Sequence, residues 1–135
     1  MGWLRFTTTV LATVSLASCG SDTTDVNQPT GRQLPANGIE IVVGAQNKGT
    51  AAFTPNPLTI SLTDGGVVQW FNDDQTASAY STNGVTHNIT ADDGSFTSGN
   101  LNAGSTFQTT FSTEGSFGYH CSIHPTMKGT VTVTP

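Results

Sequence analysis

Two strand-like runs enclose a short loop in the stretch GSFGYHCSIHPTMKGTVTV, residues 115–133. Both runs are rich in aromatic residues, threonine and valine, which favour the pleated surface of a sheet. No window of the chain repeats apolar residues at helical spacing. Further runs of the same kind, separated by turn residues such as Asp64-Gly65-Gly66, lie at 39–43, 58–62, 67–72 and 105–111. The pattern predicts an all-β fold, an antiparallel Greek-key β-sandwich over residues 38–135.

The composition narrows the class of protein. The chain has 135 residues, which is enough for one domain, and its formal net charge is −5. A nucleic-acid-binding protein needs lysine and arginine to neutralise phosphates, and this chain has only 4 of them against 9 acidic residues. Its two cysteines, Cys19 and Cys121, cannot form a disulfide framework. Three histidines are too few for an enzyme with several metal centres.

The first 18 residues resemble a bacterial lipoprotein signal peptide. One positive charge, Arg5, precedes an uncharged and moderately apolar run that is shorter than the ~20 residues of a membrane-spanning helix. Small residues then lead to Cys19, so we expect cleavage before Cys19 and a lipid on its sulfur. The alternative is an ordinary export signal in which Cys19 is incidental. With the lipid on Cys19, the protein is expected in the cell envelope of a bacterium, anchored by that lipid and facing the periplasm or the cell exterior.

Residues 19–37 predict a flexible linker, because the stretch has almost no apolar surface to bury. It would join the lipid anchor to the folded domain. The domain boundaries predicted from the sequence are therefore 1–18 for the signal peptide, 19–37 for the linker and 38–135 for the β domain.

Three potential metal ligands follow one another at three-residue steps in the loop: Cys121, His124 and Met127. His120 directly precedes Cys121 in a strand, where neighbouring side chains point to opposite faces, so it is badly placed to join them. The natural fourth ligand is His87. A thiolate, two imidazoles and a weak axial thioether are the ligand set of blue-copper sites. The sequence therefore predicts one mononuclear copper site.

Residues 38–135 resemble the cupredoxins, the blue copper proteins of the plastocyanin/azurin family, and amicyanin most closely. The resemblance is carried by the Cys-x-x-His-x-x-Met loop with Pro125 after its histidine, and by shorter matches at 53–55, 67–70 and 128–131. It implies an exported electron carrier with copper at His87, Cys121, His124 and Met127. It also implies that Asn88 joins the two ligand loops by a hydrogen bond toward Ser122.

Two departures from the family pattern are visible. The stretch between Trp70 and His87 is longer than in relatives, and Ile123 stands where relatives often have proline. Ile123 keeps its N–H, and we expect that group to donate to the Cys121 sulfur and raise the reduction potential.

Several residues have simpler interpretations. His120 is expected to be a structural histidine that bonds the strand, and Tyr119 and Trp70 to lie in the core. The pairs Asp73-Asp74 and Asp92-Asp93 are expected to be solvated loop charges, or else to steer a cationic partner. Cys121 could be a buried small hydrophobic residue, but the spacing of the other ligands favours copper.

Three functions remain open, and electron transfer leads. In it, a monomer exposes the edge of His124 among apolar residues, and redox proteins dock there transiently. The second is a copper-holding or copper-delivery lipoprotein, and the third is a structural β-sandwich without metal. We do not expect an enzyme, because copper oxidases and nitrite reductases of this fold need further histidines for a second copper centre, and a saturated site leaves no position for a substrate.

Overall fold

The computed structural model describes residues 32–75 and 83–135. The predicted signal peptide, Cys19 and the first part of the predicted linker lie outside them. The described residues form eight strands: β1 (Gly38–Ile41), β2 (Phe53–Thr54), β3 (Leu58–Ser61), β4 (Val67–Asn72), β5 (Thr90–Ala91), β6 (Thr106–Thr110), β7 (Gly115–His120) and β8 (Lys128–Thr134). Three single-turn 3-10 helices lie between them, at Ala45–Asn47, Gly49–Ala52 and Leu62–Asp64. In this part of the chain no helix is long and apolar enough to span a membrane.

The strands form two four-stranded sheets, ordered β2-β1-β4-β6 and β3-β8-β7-β5. The prediction of an all-β fold is confirmed, but the prediction that its sheets are antiparallel is wrong for two pairs, since β1 runs parallel to β4 and β3 parallel to β8. Apolar alternation along a strand shows which face is buried and says nothing of the direction of its neighbour. Between β2 and β4 the chain passes through β3, which belongs to the other sheet. It then returns to the first sheet, where β4 runs in the same direction as β1.

An aromatic cluster fills the space between the sheets. Trp70 and Tyr119 are fully buried, as the sequence predicts, and their rings meet edge to face at 5.4 Å. The Phe53 ring also packs against Tyr119, with the ring centroids 4.9 Å apart. A Cβ added to Gly129 would overlap the Tyr119 ring, so a residue without a side chain is required opposite Tyr119 in β8.

Residues 32–37, the described part of the predicted linker, are attached to the domain. The Arg32 guanidinium makes two hydrogen bonds to the Asp73 carboxylate, at 2.8 and 2.9 Å, and lies 4.9 Å from the centre of the Phe71 ring. Asn37 donates a side-chain hydrogen bond to the Val67 carbonyl at 3.0 Å. The segment therefore lies along β4 and reaches the loop that follows it.

The strands bring two loops to one end of the sandwich. The chain leaves β4 at Asn72 and reaches His87, while β7 ends one residue before Cys121 and β8 begins one residue after Met127. His87 is held by two backbone hydrogen bonds with Leu101, at 3.1 and 2.8 Å. The predicted ligands thus come from loops that rest on a rigid frame.

Candidate metal centre

Three ligand atoms from the two loops lie close together: Nδ1 of His87, Sγ of Cys121 and Nδ1 of His124. Sγ is 3.9 Å from His87 Nδ1 and 3.8 Å from His124 Nδ1, and the two nitrogens are 3.2 Å apart. Bonds of about 2.0 Å to nitrogen and about 2.3 Å to sulfur, arranged trigonally around one ion, separate the donors by roughly 3.5 to 3.7 Å. The observed triangle therefore fits a single metal ion in its middle.

Met127 belongs to the same loop and is fully buried. Its backbone N–H donates to the His124 carbonyl at 2.9 Å, and its carbonyl accepts from the Cys121 N–H at 3.1 Å. These bonds close the loop, which returns Met127 to the level of Cys121. A thioether in that position has the softness that suits copper.

His87 is the buried imidazole of the site, with no exposed surface. Its Nε2 lies 2.9 Å from the Asp74 carboxylate, which is also fully buried, and its Nδ1 faces Cys121. Burial alone lowers the pKa of His87, but hydrogen bonds to Asp74 and to Cys121 outweigh it and the pKa is raised. The ring therefore has one nitrogen on a carboxylate and the other at the metal position.

Cys121 is buried, and its sulfur forms one corner of the triangle. Burial raises the pKa of its thiol, but the His87 ring and the backbone N–H groups of Asn88, His124 and Ile123 lower it by more. The Asn88 N–H lies 3.4 Å from the sulfur. The surroundings thus favour the thiolate, which is the form that binds metals.

His124 differs from His87 because it is only partly buried. Burial lowers its pKa, and the neighbouring His87 ring, 5.0 Å away between centroids, lowers it further. The residues beside it, Ile123 and Pro125, are exposed, with Ile123 at 46%. The ring therefore connects the metal position to the surface.

A reciprocal pair of hydrogen bonds joins the two loops. The Asn88 side chain donates to the Ser122 hydroxyl at 2.7 Å, and the Ser122 backbone N–H donates back to the Asn88 side-chain oxygen at 2.7 Å. The first of these is the contact that the family resemblance implied. Since Asn88 follows His87 and Ser122 follows Cys121, the pair fixes the distance between two of the ligands.

The sequence profile of the copper binding proteins of the plastocyanin/azurin family matches residues 39–134. The chain belongs to this family. Among solved structures, a purple cupredoxin from Nitrosopumilus maritimus is 35% identical, with a TM-score of 0.59, over 72% of this chain and 98% of the other. No curated protein sequence matches the chain.

Two other solved structures show how the cupredoxin fold is used elsewhere. A copper-containing nitrite reductase from Thermus scotoductus SA-01 is 25% identical with a TM-score of 0.56, covering 82% of this chain but 26% of the reductase. A point mutant of amicyanin in its reduced Cu(I) form is 20% identical with a TM-score of 0.54, covering 80% and 93% of the two chains. The amicyanin likeness concerns the fold. In this cupredoxin, His87, Cys121, His124 and Met127 are positioned as one mononuclear copper site.

The prediction that the first acidic pair of this cupredoxin is solvated is wrong. Asp73 and Asp74 are buried, at 3% and 0% exposure, where solvated charges were expected. Arg32 covers Asp73, and Asp74 lies behind His87. The pattern of the sequence gives no sign of this, because both partners are distant along the chain. Asp92 and Asp93 are exposed, as predicted.

His120 stays outside the metal triangle. Its Nδ1 lies 2.6 Å from the Asp92 carboxylate on the outer face of the sheet. The sequence predicted a structural histidine bonded to the strand, and the partner is instead a carboxylate just beyond β5. The alternation of side chains along β7 places it opposite the core-facing Tyr119.

Proposed function

We propose that this cupredoxin is an electron carrier that cycles one copper ion between Cu(I) and Cu(II) at His87, Cys121, His124 and Met127. The observation that carries the proposal is the trigonal spacing of two imidazoles and a buried sulfur, with separations of 3.2 to 3.9 Å. Copper bound there would supply the redox couple. The chain supplies a rigid frame, which limits the change of geometry between the two oxidation states.

The surface around His124 is the proposed docking site for transient redox partners. Ile123 and Pro125, the residues on either side of His124, are both exposed, and Ile123 is 46% exposed. An apolar rim around a ligand edge suits brief contacts with a redox protein, since few polar groups must be desolvated. We propose that the carrier acts as a monomer.

A lipid anchor on Cys19 would hold the carrier at the cell envelope. The proposal rests on the resemblance of residues 1–18 to a lipoprotein signal peptide, followed by the linker 19–37 and the domain 38–135. It predicts that the full chain, expressed in a bacterium, partitions with membranes. The Cys19→Ser variant should be recovered in the soluble fraction, and an unchanged distribution would contradict the anchor.

The metal proposal is tested by adding Cu(II) to the purified chain without residues 1–18. The Cys19→Ser variant, which keeps Cys121 as its one thiol, should develop the intense visible absorption of a thiolate–copper bond. The Cys121→Ser variant should not. A colourless Cys19→Ser protein would overturn the proposal.

A second measurement separates electron transfer from delivery. A carrier should show a reversible one-electron wave by voltammetry and retain its copper when a chelator is added. Rapid loss of copper to the chelator would favour a copper-delivery lipoprotein. Met127→Leu should keep the colour and raise the potential, because it removes the thioether that would bind the copper weakly.

A further inference from the structure

The carboxylate of Asp74 receives hydrogen bonds from three directions. The Gly44 N–H donates to its Oδ1 at 2.9 Å, and the Ala45 N–H donates to its Oδ2 at 3.2 Å. The same Oδ2 lies 2.9 Å from Nε2 of His87. Backbone N–H groups can only donate, and a carboxylate surrounded by donors is suited to carry its negative charge. The His87 nitrogen that faces it must then carry the proton.

The backbone around Asp74 is itself fixed. The Asp74 N–H donates to the side-chain oxygen of Asn72 at 3.1 Å, and its carbonyl accepts from the Val85 N–H at 3.0 Å. The Asn72 amide donates in turn to the carbonyls of Val85 and Leu101, at 2.9 and 2.8 Å. Leu101 is the backbone partner of His87. One buried network therefore holds the carboxylate and the histidine in a common frame.

We propose that Asp74 is a positioning residue for the metal site, which fixes the proton of His87 on Nε2 and leaves the lone pair of Nδ1 directed at the metal position. The inference rests on the proposed copper site and extends it to a residue that touches no metal. A neutral imidazole has two tautomers, and the hydrogen bond made by one nitrogen decides which nitrogen is left to bind metal. Without the carboxylate, the proton could reside on Nδ1, where it would block the ligand position.

The charge of Asp74 has a second consequence. The imidazole ring of His87, whose Nε2–H donates to this anion, gains electron density, which makes Nδ1 a stronger ligand for a metal ion. A negative charge beside a ligand stabilises the more positive oxidation state of a bound metal. Asp74 should therefore lower the reduction potential as well as raise the affinity for copper.

The Asp74→Asn variant removes the charge with little change in shape. An amide has one oxygen and one NH2 group, so it cannot accept from the Gly44 side and the His87 side together. If its NH2 group faces His87, the ring must present a lone pair at Nε2 and carry its proton on Nδ1. If its oxygen faces His87, the Gly44 N–H loses its acceptor. Asp73→Asn is the matched control, because Asp73 is the adjacent buried carboxylate and pairs with Arg32.

Copper affinity, reduction potential and the tautomer of His87 are the three measurements. Asp74→Asn should bind Cu(II) about 10- to 100-fold more weakly, the usual cost of losing such a partner, and its potential should rise. Asp73→Asn should match the wild type in copper affinity and in reduction potential. Asp74→Glu restores an anionic acceptor and should lie closer to the wild type than Asp74→Asn does.

The wild-type protein gives a test that needs neither metal nor variant. In the metal-free chain at alkaline pH, 15N-detected histidine spectra should place the proton of His87 on Nε2, with slow exchange because the group is buried. A proton on Nδ1 would overturn the inference even if no Asp74 variant folds. An Asp74→Asn protein would also overturn it if His87 kept the same tautomer and the copper affinity stayed within about twofold of the wild type. A wild-type chain that binds no copper would instead refute the proposed function, and the tautomer result would still stand alone.

Discussion

The two histidine ligands of the site have opposite surroundings. His87 is fully buried, held by backbone bonds to Leu101 and by the Asp74 carboxylate, and its pKa is raised. His124 is partly exposed beside Ile123, and burial together with the nearby His87 ring lowers its pKa. One imidazole is thus built into the frame, and the other is part of the surface.

This difference assigns separate tasks to chemically identical ligands. A ligand with no exposed surface cannot contact a partner, but its buried hydrogen bonds can fix the geometry and the charge of the site. A ligand with an exposed edge has fewer such constraints and offers a short path for an electron. The loop of His87 therefore shields the metal position from solvent, and the loop of His124 connects that position to the surface.

Removal of each imidazole should give the largest contrast. In His124→Gly the lost ring leaves a gap open to solvent, so added imidazole should enter, bind copper and restore the visible absorption. In His87→Gly the gap is itself fully buried, next to the Asp74 carboxylate. Added imidazole cannot reach it from solvent and should restore little or no colour. Titration of both copper-loaded variants with imidazole, followed by absorption spectroscopy, measures the effect.

The control for this pair is the wild type with the same imidazole concentrations, whose spectrum should not change. Equal rescue of both variants would show that solvent reaches the His87 position readily. The proposed contrast between a buried and an exposed histidine ligand would then be wrong.

The two loops also differ in how far the sequence predicts them. Cys121, His124 and Met127 lie within seven residues and at regular steps, so local spacing was sufficient. His87 followed because His120 points to the other face of its strand. Asp74 could not be predicted, since its role arises from the burial of a polar loop against distant residues. The same limit applies to the fold, where alternation predicted the strands but not the parallel pairing of β1 with β4.

Asn88→Ala should give the next largest effect, because it separates the buried ligand loop from the exposed one. It removes both hydrogen bonds to Ser122 and leaves the Ser122 N–H without that acceptor, so the free energy of unfolding should fall by about 1 to 3 kcal/mol. Urea denaturation of the metal-free protein measures this. Ser122→Ala removes one bond and keeps the backbone contact, so its loss should be smaller. Equal losses would mean that the backbone bond contributes nothing.

Acidification should affect the two histidines in opposite directions in the metal-free protein. The folded pKa of His124 is below its unfolded value, so the unfolded state takes up a proton first and stability falls as the pH drops through the unfolded value of about 6.5. The folded pKa of His87 is above its unfolded value, so its contribution is complete below about pH 6.5 and is lost as the pH rises through the folded pKa.

Thermal unfolding of chelator-treated protein between about pH 5 and pH 8 tests this sign. His124→Asn should reduce the loss of stability on acidification, whereas His87→Asn should increase it. Identical pH profiles for the two variants would contradict the difference in their surroundings.

Ile123→Pro should give the smallest effect, and it tests the side of the buried sulfur that faces the exposed residue Ile123. The Ile123 N–H is one of several groups that lower the pKa of the Cys121 thiol, and proline removes it while the N–H groups of Asn88 and His124 remain. The reduction potential should therefore fall slightly, and the thiol pKa of the metal-free protein should rise, as followed by the pH dependence of its alkylation rate. Ile123→Val keeps the N–H and changes mainly the apolar surface. If valine shifted the potential as much as proline does, residue 123 would act on the site through its apolar side chain. The hydrogen bond from its N–H to the sulfur would then have no measurable effect on the potential.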